Sequence, residues 1–380
     1  MKIGFDAKRA YHNHTGLGHY SRNLVNGLCR YFPEHEYFLF NPRKSDSYQP
    51  ACSQVREVNP VSFMAVQFPS MWRRTWMVKD LQAKGIELYH GLSHELPLGI
   101  EKTGIKTAVT IHDLIFERYP DQYGSIDIKI YKRKFRHACE VADSVIAISE
   151  QTKRDLEEMY NVPSSKITVL YQGCNQVYSE PVTEAARQQV KTQFNLPDRY
   201  LLYVGSIVER KNLLNICKAL AQLPDQEIKL VVVGDGGAYK QKVLEYIAEA
   251  NLTNRVVFLK SADGKPIDTD QFPALYQQAE ALVYPSTFEG FGIPVLEALT
   301  VGTPVVTADG SCFRETAGDA ALFVDPFDVN DLAHAMQEIL QDNTLRSDLI
   351  SKGLVHAAAF TQDKIAANMM AHYQQLLNGR

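Results

Sequence analysis

Along this chain, apolar runs of strand length alternate with amphipathic stretches of helix length, the pattern of parallel sheets joined by crossover helices. In the first half, Lys2–Phe5, Glu36–Phe40, Leu88–Tyr89, Lys106–Ile111 and Ser144–Ile148 predict strands. Gly18–Phe32, Ile126–Ala142 and Glu150–Tyr160 predict helices. The pattern then restarts with Leu201-Leu202-Tyr203-Val204, an unbroken apolar run suited to a strand covered on both faces. Further strands are predicted at Lys229–Val233, Val256–Phe258, Ala281–Tyr284, Pro304–Val306 and Ala321–Val324. The matching helices are Leu213–Gln222, Tyr239–Ala250, Gly292–Leu299 and Asp328–Gln341. The expected fold class is α/β, with two Rossmann-like, doubly wound parallel-sheet domains.

The 380 residues suit two such domains. A polar stretch at 176–193, containing Pro181, marks the junction and the first helix of the second half. The expected domains are 1–177 and 178–360, followed by a last helix within 361–380. No run approaches the roughly 20 apolar residues of a membrane-spanning helix. The first residues lack the pattern of a secretory leader, so a cytoplasmic protein is expected. Six cysteines lie apart with no C-x-x-C pair, as expected of buried thiols rather than a zinc site or disulfide framework. Residues 1–180 carry 23 Lys and Arg against 20 Asp and Glu, leaving 17 against 24 for the remainder. Such mild asymmetry argues against a nucleic-acid binder.

In open parallel sheets, ligands bind at the carboxyl ends of strands, so post-strand segments are where binding residues belong. After Ala281–Tyr284 comes Ser286-Thr287-Phe288-Glu289-Gly290-Phe291-Gly292-Ile293-Pro294-Val295-Leu296-Glu297. Gly290 and Gly292 admit a ligand close to the backbone, and Pro294 supports a helix start near Gly292 whose N–H groups suit a phosphate or sugar hydroxyl. Glu289 and Glu297 lie eight positions apart, about two helical turns. After Leu201–Val204 comes Gly205-Ser206-Ile207-Val208-Glu209-Arg210-Lys211-Asn212, where two adjacent cations could neutralise a departing diphosphate. Alone, each pattern is commonly a solvated surface.

The E-G-F-G-x-P-x-x-E run at 289–297 resembles, without departure, the signature of the retaining glycosyltransferase family 4, of the GT-B fold. That resemblance implies an enzyme moving a hexose from a nucleotide sugar such as GDP-mannose or a UDP-hexose to an acceptor hydroxyl, with no metal or other cofactor. It places Glu289 by the transferred sugar, the amides of Gly290, Phe291, Gly292 and Ile293 on sugar and phosphate, and Glu297 on the ribose. Gly205, Ser206, Arg210 and Lys211 match the stretch facing the diphosphate; Ser206 stands where some members have arginine. Thr15-Gly16-Leu17-Gly18 resembles the family's G-x-G loop, with Gly16 and Gly18 offering amides to the donor phosphates. In Ile111-His112-Asp113-Leu114, His112 is assigned to the sugar site and Asp113 to orienting it or the acceptor.

Further matches are Ile146–Ser149 with Lys153, Gly234-Asp235-Gly236, and Asp309-Gly310-Ser311 with Glu315, so the resemblance spans nearly the whole chain. It implies an N-terminal acceptor domain and a C-terminal donor domain facing a cleft. The last helix, within 361–380, would cross back to the first domain. It further implies glycan or lipid-linked acceptors in capsule, lipopolysaccharide or exopolysaccharide assembly. The segment Met71–Lys79 places both tryptophans beside three cations, a composition suited to peripheral contact at an inner membrane face. A nucleotide-sugar epimerase, a sugar phosphorylase and a non-catalytic nucleotide-sugar sensor stay open as alternatives on the same fold. The loop 261–270, a place for base and sugar contacts, carries no readable code for donor identity.

Overall fold

A computed structural model describes residues 1–259 and 267–379. It divides into two compact units, Met1–Gly173 with the chain from Phe360 onward, and Cys174–Ala359. The expected junction at 177/178 falls a few residues later than this division. Most of the loop 261–270 lies outside the described residues.

In the first unit the strands are β1 (Lys2–Asp6), β2 (Glu36–Phe40), β3 (Val55–Val58), β4 (Leu88–Gly91), β5 (Lys106–Ile111), β6 (Ser144–Ala147) and β7 (Ile167–Val169). They form a parallel sheet in the order β3-β2-β1-β4-β5-β6-β7. β1 alternates by face. Ile3 and Phe5 pack in a cluster with the helix Gly16–Tyr31, while Gly4 and Asp6 turn to the other side. The closing helix, Gln362–Leu377, adds Ala366, Met369, Met370 and Tyr373 to that cluster, so the end of the chain belongs to the first unit. A buried polar chain fixes it there. Tyr373 bonds His90 at 2.6 Å, His90 bonds Thr110 at 2.7 Å, and Thr110 bonds Tyr20 at 2.9 Å.

In the second unit β8 (Tyr200–Val204), β9 (Lys229–Val233), β10 (Val256–Phe258), β11 (Ala281–Tyr284), β12 (Val305–Ala308) and β13 (Leu322–Val324) form a parallel sheet ordered β10-β9-β8-β11-β12-β13. Strand order reverses between β1 and β4 in one sheet and between β8 and β11 in the other. Ligands of doubly wound sheets bind at such switch points.

Three sequence expectations need correction. β3 and β7 were not anticipated. They are short edge strands, and β3 reads Val-Arg-Glu-Val with both inner residues exposed, so neither carries the apolar run of a covered strand. The helix Asn343–Ala357 was also missed. Finally, Cys29 and Cys52 form a disulfide with Cα atoms 6.1 Å apart, against the expectation of free thiols. The segment linking β2 to β3 runs back over the helix Gly16–Tyr31, where the Tyr48 hydroxyl donates to Asn26 at 2.7 Å and brings Cys52 to Cys29. Cys139, Cys174, Cys217 and Cys312 remain free.

Candidate active site

In the second unit, the predicted donor residues rise from the two strands that flank the switch point. Past β8 the chain turns at Gly205 (φ +148°), and past β9 at Gly234 (φ +151°). A Cβ on Gly234 would lie 1.9 Å from the Gly205 carbonyl oxygen, and one on Gly236 would lie 2.1 Å from that of Ile207. These glycines therefore let two loops touch where a side chain would push them apart. The 3₁₀ turn Glu209–Lys211 follows, closed by Asn212 in the left-handed conformation (φ 64°). Buried Asn212 donates through Nδ2 to the carbonyls of Pro285, at 3.2 Å, and Pro326, at 2.6 Å. The Thr287 amide donates to the Arg210 carbonyl at 2.8 Å. These bonds fasten the β8 loop to the β11 loop.

That fastening brings Arg210 and Lys211 onto Glu289. Arg210 Nη1 is 2.7 Å and Lys211 Nζ 3.2 Å from the same oxygen, Glu289 Oε1. Tyr284 and Ser286 donate hydroxyls to this oxygen at 2.8 and 3.0 Å, and Lys211 donates to the Tyr284 hydroxyl. The three charged side chains are only 9–12% exposed. Burial by itself would raise the Glu289 pKa, but the attraction of Lys211 and Arg210 with their hydrogen bonds wins and holds it at about 2. Lys211 is shifted down, first by burial and then by Arg210, against the opposing pull of Glu289. Two buried cations thus share one carboxylate, and the surplus positive charge suits a further anion.

The Glu289 backbone is held too. Its amide donates to Ser311 Oγ at 3.1 Å, and that hydroxyl donates back to the Glu289 carbonyl at 2.8 Å. Gly292, with φ +83°, caps the helix Ile293–Thr300, and Pro294 sits in its first turn. A Cβ on Gly292 would come within 3.0 Å of the Phe313 ring. Phe291 is buried at 2% exposure, so its side chain serves packing. The amides of Gly290, Gly292 and Ile293 have no hydrogen-bond partner among the described residues. Glu297 forms no ion pair among the described residues: Tyr276 donates to it at 2.8 Å, Tyr178 donates as well, and Lys211 attracts it only as a lesser influence. Burial dominates there, raising its pKa to about 7. Ser206 is exposed, and its carbonyl accepts from Tyr203 at 2.9 Å.

In the first unit, His112 follows β5 and is buried. Its Nε2 lies 2.9 Å from the Leu92 carbonyl, which can only accept, so Nε2 carries the proton. Burial outweighs that bond and lowers its pKa to about 4, leaving a neutral ring. Tyr20 and His94 pack edge-on against it at 4.6 and 5.1 Å. Asp113 accepts from the Ile115 amide at 3.0 Å. Gly16 opens its helix, and a Cβ placed on it would meet nothing within 4 Å. Gly18 behaves differently from the expectation. Its amide is spent on Thr15 and Asn13, and a Cβ there would lie 1.9 Å from the Asn13 carbonyl oxygen. In this structure its missing side chain makes room for the loop, and its amide is engaged there.

Sequence reading missed Tyr284, Ser286, Tyr276 and Tyr178. Tyr284 and Tyr276 look like core aromatics in apolar runs. The signal lies in the hydroxyl, because a buried tyrosine needs a partner and a nearby glutamate supplies one. The Trp/Arg segment also differs from expectation. Trp72 is 1% exposed and donates to Asp80 at 2.6 Å, so only Trp76, 36% exposed, reaches the surface.

Two family profiles match, one in each half. "Glycosyltransferase Family 4" matches residues 14–176 and "Glycosyl transferases group 1" matches residues 184–355. The chain belongs to glycosyltransferase family 4. It is therefore a glycosyltransferase of the GT-B fold. Among its relatives is the O-antigen chain mannosyltransferase B of Escherichia coli, 26% identical over 99% of this chain and 100% of the relative. A sucrose-phosphate synthase from Thermosynechococcus elongatus superposes with TM-score 0.78 at 24% identity, covering 100% of both chains. Anabaena HepE, solved in complex with UDP and glucose, gives TM-score 0.74 at 18% identity, covering 99% of this chain and 100% of that one. Among the described residues, no helix of the glycosyltransferase is long and apolar enough to cross a membrane.

Proposed function

We propose that this glycosyltransferase moves a mannose-type hexose, with retention of anomeric configuration, from a nucleoside-diphosphate sugar to a glycan acceptor in bacterial surface-polysaccharide assembly. The observation that carries the reading is the pair of buried cations, Arg210 and Lys211, sharing the single carboxylate oxygen of Glu289. Charge that builds on a departing diphosphate completes this imbalance, so the site stabilises the transition state more than the ground state. The bond between the anomeric carbon and the diphosphate oxygen breaks, the acceptor oxygen bonds to that carbon from the same face, and the acceptor proton passes to the diphosphate. With its pKa near 2, Glu289 stays ionised and serves as a fixed charge and hydrogen-bond acceptor. Its side-chain partners are Arg210, Lys211, Tyr284 and Ser286, none of them the second carboxyl that a double displacement needs about 5 Å away. The mannosyltransferase name of the full-length relative favours mannose and polysaccharide assembly over the epimerase and sensor readings. Thermal stabilisation across GDP-mannose and UDP-hexoses, followed by NMR of the product's anomeric proton, tests the proposal. GDP-mannose is expected to raise the melting temperature most, and the product to keep the donor's α configuration; an inverted product refutes it.

Glu297 adds a pH dependence. In this reading its carboxylate accepts the ribose hydroxyls, and charge-assisted bonds are roughly twice as strong as neutral ones. Burial places its pKa at about 7, so the charged form prevails above that pH and is lost below it. The donor KM should rise several-fold as pH falls from about 8 to about 6, and Glu297→Gln should flatten that rise. An identical pH profile in the variant would remove Glu297 from donor binding.

A further inference from the structure

The turn that follows β4 carries two costs on consecutive residues. Ser93 is buried, and its Oγ has no hydrogen-bond partner among the described residues. His94 adopts the left-handed backbone conformation (φ +64°), which non-glycine residues seldom take. Unpaired buried hydroxyls and left-handed side chains persist where the surrounding structure over-determines them, and such places cluster at functional sites. Here the surroundings are definite. The His94 amide donates to the Thr110 carbonyl at 3.0 Å, and its ring stacks on Phe135 with centroids 4.4 Å apart. The neighbouring turn, after β5, begins with His112, whose ring centroid lies 5.1 Å from that of His94. β4 and β5 are hydrogen-bonded neighbours, so strand pairing itself sets the two histidines side by side.

Hydrogen bonds assign the protons of both rings. The His112 backbone amide donates to His94 Nδ1 at 3.4 Å, so that nitrogen is an acceptor and Nε2 carries the proton. His112 is the reverse: Nε2 donates to the Leu92 carbonyl, and Nδ1 is left as the acceptor. Both rings are neutral, His94 being held well below the usual histidine range by burial, then by His112 and Arg9. Neither His94 Nε2 nor His112 Nδ1 has a partner among the described residues, and His94 is half-buried rather than enclosed. The adjacent rings thus present one donor and one acceptor, the two functions that a single hydroxyl satisfies at once. Resting on the transferase reading above, with His112 by the transferred sugar, we infer that His94 is a specificity-determining residue for the hexose. Its Nε2–H donates to the sugar hydroxyl that donates to His112 Nδ1. Protonating His112 would turn that acceptor into a donor and lose the match.

GDP-mannose and its four monodeoxy-mannose forms test the assignment in His94→Phe, which keeps a ring against Phe135 and removes both nitrogens. The native protein should lose at least about a hundredfold in kcat/KM toward one of the four, because a site built to bond a hydroxyl rejects the analogue lacking it. His94→Phe should slow GDP-mannose at least about tenfold yet leave that same analogue within about threefold of its native rate, so the ratio between the two collapses. GDP by itself should stabilise native and variant proteins alike, since it carries no hexose. His94→Asn, better suited to a left-handed backbone, withdraws the donor from the hydroxyl and carries the same comparison if the phenylalanine variant melts early. A packing role slows every donor equally, so unchanged ratios for all four analogues overturn the inference. A native protein that turns over no GDP-mannose overturns the donor reading first, and this inference with it.

Discussion

Lys211→Ala should lower kcat by about 10² to 10³-fold, the effect of removing one preorganised charge from a site where negative charge develops. The fold should survive, because Arg210 and Glu289 remain as a one-to-one ion pair at 2.7 Å. Stabilisation by a nucleoside diphosphate should shrink with the rate, since in the proposed reaction the same ammonium would face the diphosphate in donor and product. Lys211→Met separates charge from volume: it keeps the methylene stem and should fall with the alanine variant. Native turnover in both would remove Lys211 from the reaction.

Glu289→Gln should also lose at least about a hundredfold in turnover, but through a site that is destabilised as well. Taking one partner from a buried ion pair costs on the order of 3–5 kcal/mol, because the remaining charge is stranded. Here two cations are stranded, while the amide oxygen still accepts from Tyr284 and Ser286, which argues for the lower end. About 3 kcal/mol corresponds to a drop of roughly 6–12 °C in melting temperature for a domain of this size. Calorimetric melts should show it, and adding GDP should recover part of the loss by supplying the missing negative charge. The cost comes from the burial of the ion pairs, since a surface glutamate would carry none. An unchanged melting temperature together with native turnover would contradict both roles.

The first unit's site is less complete than the second's. His112 is neutral, buried and oriented by Leu92, while the Gly18 amide that resemblance offered to the donor is engaged inside its own loop. The distinction has a simple origin. A Gly-x-Gly turn looks the same in sequence whether the missing side chain makes room for a ligand or for a neighbouring carbonyl.

Local physics made much of this protein legible. Covered parallel strands must be continuously apolar, so all six strands of the second sheet stand out. A glycine turn after such a strand, followed by a proline in a first helical turn, announces the 289–297 segment. The edge strands β3 and β7, the Cys29–Cys52 bond and the burial of Trp72 carry no such local mark, because each depends on what the chain meets on returning. The pairing of Arg210 and Lys211 with a carboxylate nearly eighty positions away is of the same kind. Residue types and their place after strands were set by sequence, since periodicity and backbone sterics act over a few residues. Only the strand order, which puts β8 beside β11, decided that these groups share one oxygen, because burial and Coulomb attraction act through space rather than along the chain.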